Sequence, residues 1–520
     1  MITKNPKILW IDDEIELLRP HILFLEGKGY DIETSNNGYD AVEMVKNAPF
    51  DLIILDEMMP GITGLETLPQ IKNYSPTTPV IMVTKSEEEN IMDRAVGSKI
   101  DDYLIKPVNP SQVLLSIKKN LHSQQLVTEQ TTADYRAQFG DITASLNQAR
   151  TFEDWVQIYR RLVGWDIELE ASSDPSVGEI LSFQKNEANS EFTKFIKNNY
   201  LGWFGEGNRD ERPLMSHTLM RNAVFPVVDR SPKTTFLLID NFRYDQWLMV
   251  RPLLSGFFDI RQEEFYCSIL PTATQYARNA IFAGLMPAAI DKIMPGLWLN
   301  DNEEGGKNKY EEDFLRRLIQ TTGKNYKLYF EKLVRPEAGR KLLENLGKVY
   351  DADLSVIIYN FLDILSHART ETEIIRELAE DEAAFRSLTR SWFEHSELFE
   401  IIRRLSEKGH TVVITSDHGT KRVDNPVKVI GDRETSTNLR YKTGRNLNYN
   451  AKEVFEITKP ELAHLPKSNI TSTYIFATGR DFFVYPNNYN YYVRYYKNTF
   501  QHGGVSMEEM IVPYIVLNPR

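Results

Sequence analysis

The sequence predicts an α/β protein in three parts: a doubly wound domain over residues 1–120, a helical connector over 121–207, and a larger α/β domain over 208–520. Three observations predict this. Short apolar runs ending on polar residues recur in two separate stretches, helical spacing fills the gaps between them, and the stretch in between lacks such runs. Parallel strands joined by right-handed crossovers produce this pattern, and their functional groups gather beyond the carboxyl ends of the strands.

In the first part, Lys7-Ile8-Leu9-Trp10-Ile11 ends at Asp12, Asp51-Leu52-Ile53-Ile54-Leu55 at Asp56, Pro79-Val80-Ile81-Met82-Val83 at Thr84, and Asp102-Tyr103-Leu104-Ile105 at Lys106. The connector carries scattered anchors, among them Trp155, Tyr159, Leu162, Val163, Phe192, Phe195 and Ile196, with an expected break at Trp165-Asp166 and the Ser-rich stretch after it. In the third part the runs are Phe236–Ile239, Phe265–Leu270, Leu354–Tyr359 and His410–Thr415, with helical stretches such as 371–407 between them. Residues 421–460, rich in Asn, Lys and Arg, read as an insertion or surface excursion. The aromatics at 489–496 are expected to pack as β structure, with base stacking as the alternative.

Composition narrows the function. Acidic residues outnumber basic ones, 73 to 61, so a broadly basic nucleic-acid surface is excluded while a local basic pocket is not. A single cysteine, Cys267, excludes an internal disulfide and an all-cysteine metal site and points to a reducing cytoplasm. The amino terminus has no signal-like segment, and no apolar run approaches the roughly 18–20 residues that span a bilayer.

The strand ends of the first part can bring Asp12, Asp13 and Asp56 together, and ionised carboxylates at close quarters require a cation. Mg²⁺ suits such hard oxygen ligands and can also bind a phosphate. Asp56 is then the acyl-phosphate acceptor, Asp12 and Asp13 hold the metal, Lys106 neutralises a phosphoryl oxygen, and Thr84 donates a hydrogen bond to another. The constellation of Asp12-Asp13, Leu55-Asp56-Glu57-Met58-Met59-Pro60-Gly61, Gly64, Thr84, Tyr103 and Lys106-Pro107 strongly resembles a response-regulator receiver domain. The resemblance implies a histidine kinase as phosphoryl donor, one Mg²⁺ held by Asp12, Asp13, Asp56 and Met58, a Thr84/Tyr103 switch, and a cis Lys106–Pro107 bond.

In the third part, Asp240 ends a strand, Thr272 and Thr274 precede a helical segment, Asp363 and His367 share a helix face, Asp417-His418 follow a strand, and His502 precedes two glycines. Asp363, His367 and His502 form one candidate Zn²⁺ group; Asp240, Asp417 and His418 form the other, with a threonine hydroxyl available to join. Two zinc ions can stabilise the attacking and departing oxygens of an in-line displacement and activate the hydroxyl. Arg243 and Arg278 are candidates either to face the phosphate or to form structural salt bridges. The set resembles the alkaline-phosphatase superfamily, particularly its nucleotide phosphodiesterase branch and PglZ domains. That resemblance implies zinc ligation by these six residues and by Thr274, since Gly284-Leu285-Met286-Pro287 places the Pro-Thr-x-Thr register on Thr274 as nucleophile rather than Thr272. One departure stands out: Asp240-Asn241-Phe242-Arg243 replaces the usual Asp-Gly-Phe-Arg. Cys267 lacks the Cys-x-Pro-x-Arg context of sulfatases.

The order receiver, helical segment, PglZ-type domain resembles PorX-type response regulators. The PorX-type order implies a role in type IX secretion, a sigma factor and secretion-system proteins as partners, and a phosphorylation-dependent homodimer. The ligand set and a threonine nucleophile, as in the diesterase branch, imply a two-zinc phosphodiesterase acting on nucleotide or oligonucleotide phosphodiesters, here under aspartyl-phosphate control. The alternative is a dimerising interaction regulator whose phosphatase-like domain mainly binds.

Overall fold

A computed structural model describes residues 5–85, 100–171, 175–205, 212–301, 303–371, 379, 381–431, 435–467 and 471–520, apart from the side chains of 122–131, 171, 175–176, 336 and 367–371. The chain divides into two compact units, Met1–Asp134 and Tyr135–Arg520.

The first unit is a parallel five-stranded sheet. Its strands are β1 (Lys7–Ile11), β2 (Asp31–Ser35), β3 (Leu52–Asp56), β4 (Val80–Thr84) and β5 (Asp102–Ile105), in the order β2-β1-β3-β4-β5. The central strands β3 and β4 are buried throughout, as their unbroken apolar runs require. Edge strand β2, Asp31-Ile32-Glu33-Thr34-Ser35, has one buried residue in five and therefore leaves no apolar run in the sequence. The chain order reverses between β1 and β3, and Asp12 and Asp56 stand at the carboxyl ends of these two strands, where such sheets place their sites. Gly64 opens the helix Gly64–Tyr74 directly under the Asp56 loop: a Cβ there would lie 2.4 Å from the Asp56 carbonyl oxygen.

The helix Pro110–Gln148 leads into the second unit. There, helix Phe152–Glu168 opens with a capping box at Thr151/Asp154 and runs unbroken through Trp165-Asp166, where a break was expected. Trp155, Tyr159, Leu162, Phe192 and Ile196 belong to the same continuous core as Phe236, Val356 and Val413, so connector and α/β domain share one interior.

That interior surrounds a six-stranded sheet of β6 (Thr234–Ile239), β7 (Phe258–Cys267), β8 (Leu328–Leu333), β9 (Leu354–Tyr359), β10 (Thr411–Thr415) and the carboxy-terminal strand Ile511–Pro519. The order is β7, carboxy-terminal strand, β10, β6, β9, β8, with the last four parallel and the first two joined antiparallel. Residues 421–460, expected as an excursion, instead form short strands at Lys421–Val423, Asn425–Lys428, Tyr441–Gly444 and Phe455–Ile457. Val427, Val429 and Val454 pack with Ile475, Ala477 and Phe483 in a small core of their own. Residues 489–496, expected as β structure, form the helix Tyr489–Tyr496, in which Tyr491 stacks on Tyr495 and Tyr492 on Tyr496 at the i,i+4 spacing that only a helix provides. No helix among the described residues is long and apolar enough to cross a membrane.

Candidate active site

In the first unit, ligand oxygens of Asp12, Asp13 and Asp56 lie within 4.8 Å of one another. Asp12 and Asp56 are buried and Asp13 is exposed. Lys106 Nζ lies 2.8 Å from Asp12 Oδ2 and 3.1 Å from Asp56 Oδ1, and the Lys106–Pro107 bond is cis. One cation facing three carboxylates leaves a deficit of positive charge that suits a divalent ion. Met58 exposes its thioether, and a hard cation prefers oxygen, so its carbonyl would be the ligand. Thr84 is buried at the end of β4, and Tyr103 on β5 is 39% exposed.

Burial, and next the charge of Asp12, push the Asp56 carboxyl up to about 6, although Lys106 opposes them. A carboxyl whose pKa is raised on folding binds its proton more tightly in the folded state, so stability falls as pH rises from about 4 to about 6. The charge then costs about 3 kcal/mol at neutral pH. Asp56→Asn is therefore expected to raise the melting point of the first unit at pH 7 and to flatten its dependence on pH across this window. Calorimetry of the full chain at several pH values checks it, and an unchanged wild-type-like profile would contradict it.

The second unit gathers its site from five regions of sequence, around positions 240, 274, 363, 417 and 502. Asp240 follows β6, Asn360 and Asp363 follow β9, and Asp417-His418 follow β10, all at the carboxyl ends of parallel strands. Asp240, Asp417 and His418 are buried, with ligand atoms within 4.8 Å of one another. Backbone contacts brace this cluster: Ser268 Oγ donates to the Asp417 carbonyl and Ser416 Oγ to the His418 carbonyl.

His502 stacks on His418 with ring centroids 4.3 Å apart and planes at 18°, and its Nε2 is 3.8 Å from Asp363 Oδ1. The two groups of expected ligands thus meet through stacked imidazoles. His418 Nδ1 lies 3.2 Å from the Gly419 carbonyl and His502 Nδ1 3.2 Å from the Thr272 carbonyl. Carbonyls only accept, so the partners assign the proton to Nδ1 in both rings and leave each Nε2 lone pair for the carboxylate-lined space. His367 stands one turn after Asp363 on the helix Phe361–Glu371, but its side chain lies outside the described residues.

Thr274 is the first residue of the helix Thr274–Ala283; it is half-buried, with Oγ1 3.1 Å from His418 Nε2. Thr272 is fully buried and its hydroxyl is occupied twice, donating to the Gly504 carbonyl and accepting from Gly503 N–H. It holds the loop that carries His502. On its other side Gly504 runs close to the backbone of Ala477, where a Cβ would lie 2.4 Å from the carbonyl oxygen.

The arginines part ways. Arg278, one helical turn beyond Thr274 and 2% exposed, pairs with Asp240 and with Asp417 (Nε–Oδ2 2.9 Å), and its Nη1 reaches Asn360 Oδ1 at 3.3 Å. Arg243, also expected as a candidate for the phosphate, is committed to a buried network with Asp245 and Glu382 and lies over the rings of Phe385 and Phe500. Burial raises the Asp240 carboxyl well above the usual range, Arg278 opposing and Asp417 reinforcing. Burial also disfavours the Asp417 charge, but Arg278 and then His418 outweigh it and hold that carboxyl low.

Comparison with known proteins places this architecture. Residues 8–118 match the response regulator receiver domain, 125–204 the PorX response regulator linker domain, and 219–517 the BREX system PglZ alkaline phosphatase-like domain, which alone spans more than half of the chain. The chain belongs to the PglZ alkaline phosphatase-like family. Receiver, linker and PglZ domain in this order make it a PorX-type response regulator. Curated relatives include transcriptional regulatory proteins aligned over about a fifth of the chain. The transcriptional regulatory protein ResD of Bacillus subtilis is 39% identical over 116 residues, covering 22% of this chain and 48% of the relative. The CpxR homolog of Haemophilus influenzae is 40% identical over 114 residues, with the same shares. The chain thus spans about half the length of these relatives. Among solved structures, chemotaxis protein CheY4 of Vibrio cholerae is 29% identical with a TM-score of 0.22, covering 22% of this chain and 98% of that one.

The backbone explains the Asn241 departure. Asn241 has φ 69°, the left-handed region where glycine is free and asparagine is among the few other residues tolerated. Its side-chain amide donates to Asp363 Oδ1 at 3.2 Å, tying the first strand end to the second ligand group. The sequence reading passed over Asn360 and Glu311. Asn360 follows directly on an apolar strand and had a strand-end signal; Glu311, fully buried 3.9 Å from Arg278 and paired with Lys332, had none.

Proposed function

We propose that the PglZ domain is a two-zinc phosphodiesterase for nucleotide or oligonucleotide phosphodiesters, controlled by phosphorylation of Asp56 by a histidine kinase. The observation that carries this reading is the pair of stacked imidazoles, each with Nδ1 on a backbone carbonyl and Nε2 3.8 Å from a carboxylate oxygen, buried Asp417 for His418 and half-buried Asp363 for His502. Metal-ligating histidines are oriented in this way. Asp240 Oδ1, buried without a hydrogen-bond partner among the described residues, also fits a ligand role. Asp240, Asp417 and His418 would hold one ion, and Asp363, His502 and His367 the other.

Zinc, when bound, supplies Lewis-acid stabilisation of phosphoryl oxygens and favours the alkoxide form of a neighbouring hydroxyl. The chain supplies the nucleophile and its placement. Thr274 Oγ attacks phosphorus, a bond from Oγ to phosphorus forms, and the bond from phosphorus to the leaving nucleoside oxygen breaks. The leaving oxygen departs as an alcohol with the proton the threonine gives up; water then attacks the phosphorus of the threonyl diester, which still carries the other ester group, releasing the phosphate monoester and restoring the hydroxyl. Asn308 Nδ2 holds the Thr274 carbonyl at 3.1 Å and so fixes the start of the helix, whose first-turn amides favour an anion.

At the receiver, the phosphoryl oxygens on Asp56 would offer acceptors to Thr84 and Lys106, with Mg²⁺ beside them, and Tyr103 would follow Thr84. The PorX-type linker supports a role in type IX secretion control, with a sigma factor and secretion-system proteins as partners and a phosphorylation-dependent homodimer. A single buried cysteine accords with a reducing cytoplasm.

Zinc analysis after loading and dialysis is expected to find about two ions per chain, with a chelator abolishing hydrolysis of bis(p-nitrophenyl) phosphate. A chain that retains no zinc, or that hydrolyses the ester equally well with chelator present, would sink the proposal.

A further inference from the structure

We infer that the helix Tyr489–Tyr496 is a stacking platform for the bases of a single-stranded oligonucleotide, on an element distinct from the catalytic cluster. The inference rests on the phosphodiesterase reading and adds a second point of contact to it.

The helix, Tyr489-Asn490-Tyr491-Tyr492-Val493-Arg494-Tyr495-Tyr496, has no buried residue. Tyr489, Val493 and Tyr496 rest on Val423, Phe482 and Val484, which leaves Tyr491 58% and Tyr492 37% exposed. These rings already pack on one another without a ligand. Tyr491 and Tyr492 meet edge to face at 5.2 Å, and each stacks on the ring one turn later, at 6.0 and 6.1 Å. Rings already held in place lose little freedom on binding, and a base of any identity has a face to lay on them.

The charge around the rings suits a polyanion. Between Tyr485 and Met507 the sequence has no Asp or Glu, although the chain carries 73 of them, and this stretch contributes Arg494 and Lys497. Lys428 adds its ammonium 4.8 Å over the Tyr489 ring. The carboxylates on the supporting strands are engaged elsewhere, Asp424 by Arg480 and Asp481 by Asn425. The exposed face carries no aliphatic side chain to enter a lipid phase, which favours nucleic acid over a membrane.

The placement links the platform to the site. Strand Thr499–Gln501 runs from the helix to His502 and pairs antiparallel with Lys421–Val423, which follows His418. The six residues from Tyr496 to His502 span at most about 20 Å, roughly six nucleotides at 3.4 Å per stacked step. A strand of about ten nucleotides covers even that maximal span.

The test uses full-length Thr274→Ala protein and the fluorescence anisotropy of a labelled single strand of about ten nucleotides. Adding Tyr491→Ala and Tyr492→Ala is expected to weaken binding at least about ten-fold, and adding Tyr491→Phe and Tyr492→Phe to leave it within about two-fold. In the Thr274-intact chain the paired alanines should raise KM for the long strand and leave bis(p-nitrophenyl) phosphate hydrolysis unchanged. Undiminished decamer binding by the alanine variant overturns the platform. So does a loss confined to anionic phosphatidylserine vesicles. Failure of the diesterase reading shows separately, as absent hydrolysis of the small ester by the zinc-loaded parent, while anisotropy still reports on the platform.

Discussion

Thr274→Ala is expected to lower diesterase turnover of the zinc-loaded chain by roughly three orders of magnitude or more, with stability changed by no more than about 0.5 kcal/mol. The hydroxyl is half-exposed at the start of a helix and bonds His418 Nε2 at 3.1 Å, so its loss strands little. Thr272 makes the informative contrast. Its buried hydroxyl both donates to Gly504 and accepts from Gly503, and Thr272→Val would leave those two backbone groups unsatisfied, each at about 1–3 kcal/mol. That variant should lose stability and zinc together, because the loop it releases carries His502. Turnover and melting curves measured side by side separate the two roles. Full turnover in Thr274→Ala would return the nucleophile to Thr272 or remove it from the mechanism.

The largest loss of stability is expected from Arg278→Ala, about 3–5 kcal/mol in the metal-free chain at neutral pH. The guanidinium is buried against Asp240, Asp417 and Glu311, and its removal leaves three carboxylates under 1% exposed without their shared cation. The dependence on pH follows from the directions of titration. Asp240 and Glu311 already titrate above the ordinary carboxylate range because of burial, so the folded state holds their protons more tightly than the unfolded state does. Stability from these two groups therefore increases as pH falls. Asp417 runs the other way, since the low pKa that Arg278 maintains there contributes stability at neutral pH, and the variant forfeits it. The deficit of Arg278→Ala should accordingly shrink toward about pH 5 and also shrink when zinc is added, as positive charge returns to the cluster. Urea unfolding at two pH values, with and without zinc, measures both. A variant as stable as the parent in metal-free neutral buffer would show that Arg278 is not the counter-ion of this site.

How much was legible depended on where each signal lay. The receiver set could be read because parallel strands leave unbroken apolar runs and their polar residues follow immediately, as Asp12, Asp56, Thr84 and Lys106 do. Edge strand β2 escaped because Asp31, Glu33 and Thr34 give it no apolar run. The carboxy-terminal strand carries Pro513 in mid-run, which argues against an interior strand, yet it lies between β10 and β7. The tyrosine-rich segment looked like a strand by composition; rings stacked at helical spacing on a small apolar patch made it a helix.

By itself the sequence determined the two α/β units, the helical stretch between them, and the inventory of carboxylates, imidazoles and hydroxyls at strand and helix ends. Those properties are local, set by periodicity of 2 or 3.6 and by the residue that follows each run. Tertiary structure decided which members of the inventory meet. It set Thr272 to hold a loop and left Thr274 beside His418, turned Arg243 into a buried network and Arg278 toward Asp240 and Asp417, and stacked His502 on His418. These outcomes depend on contacts between residues up to hundreds of positions apart. Close packing and the pairing of buried charges select among them, and neither leaves a periodic trace in the chain.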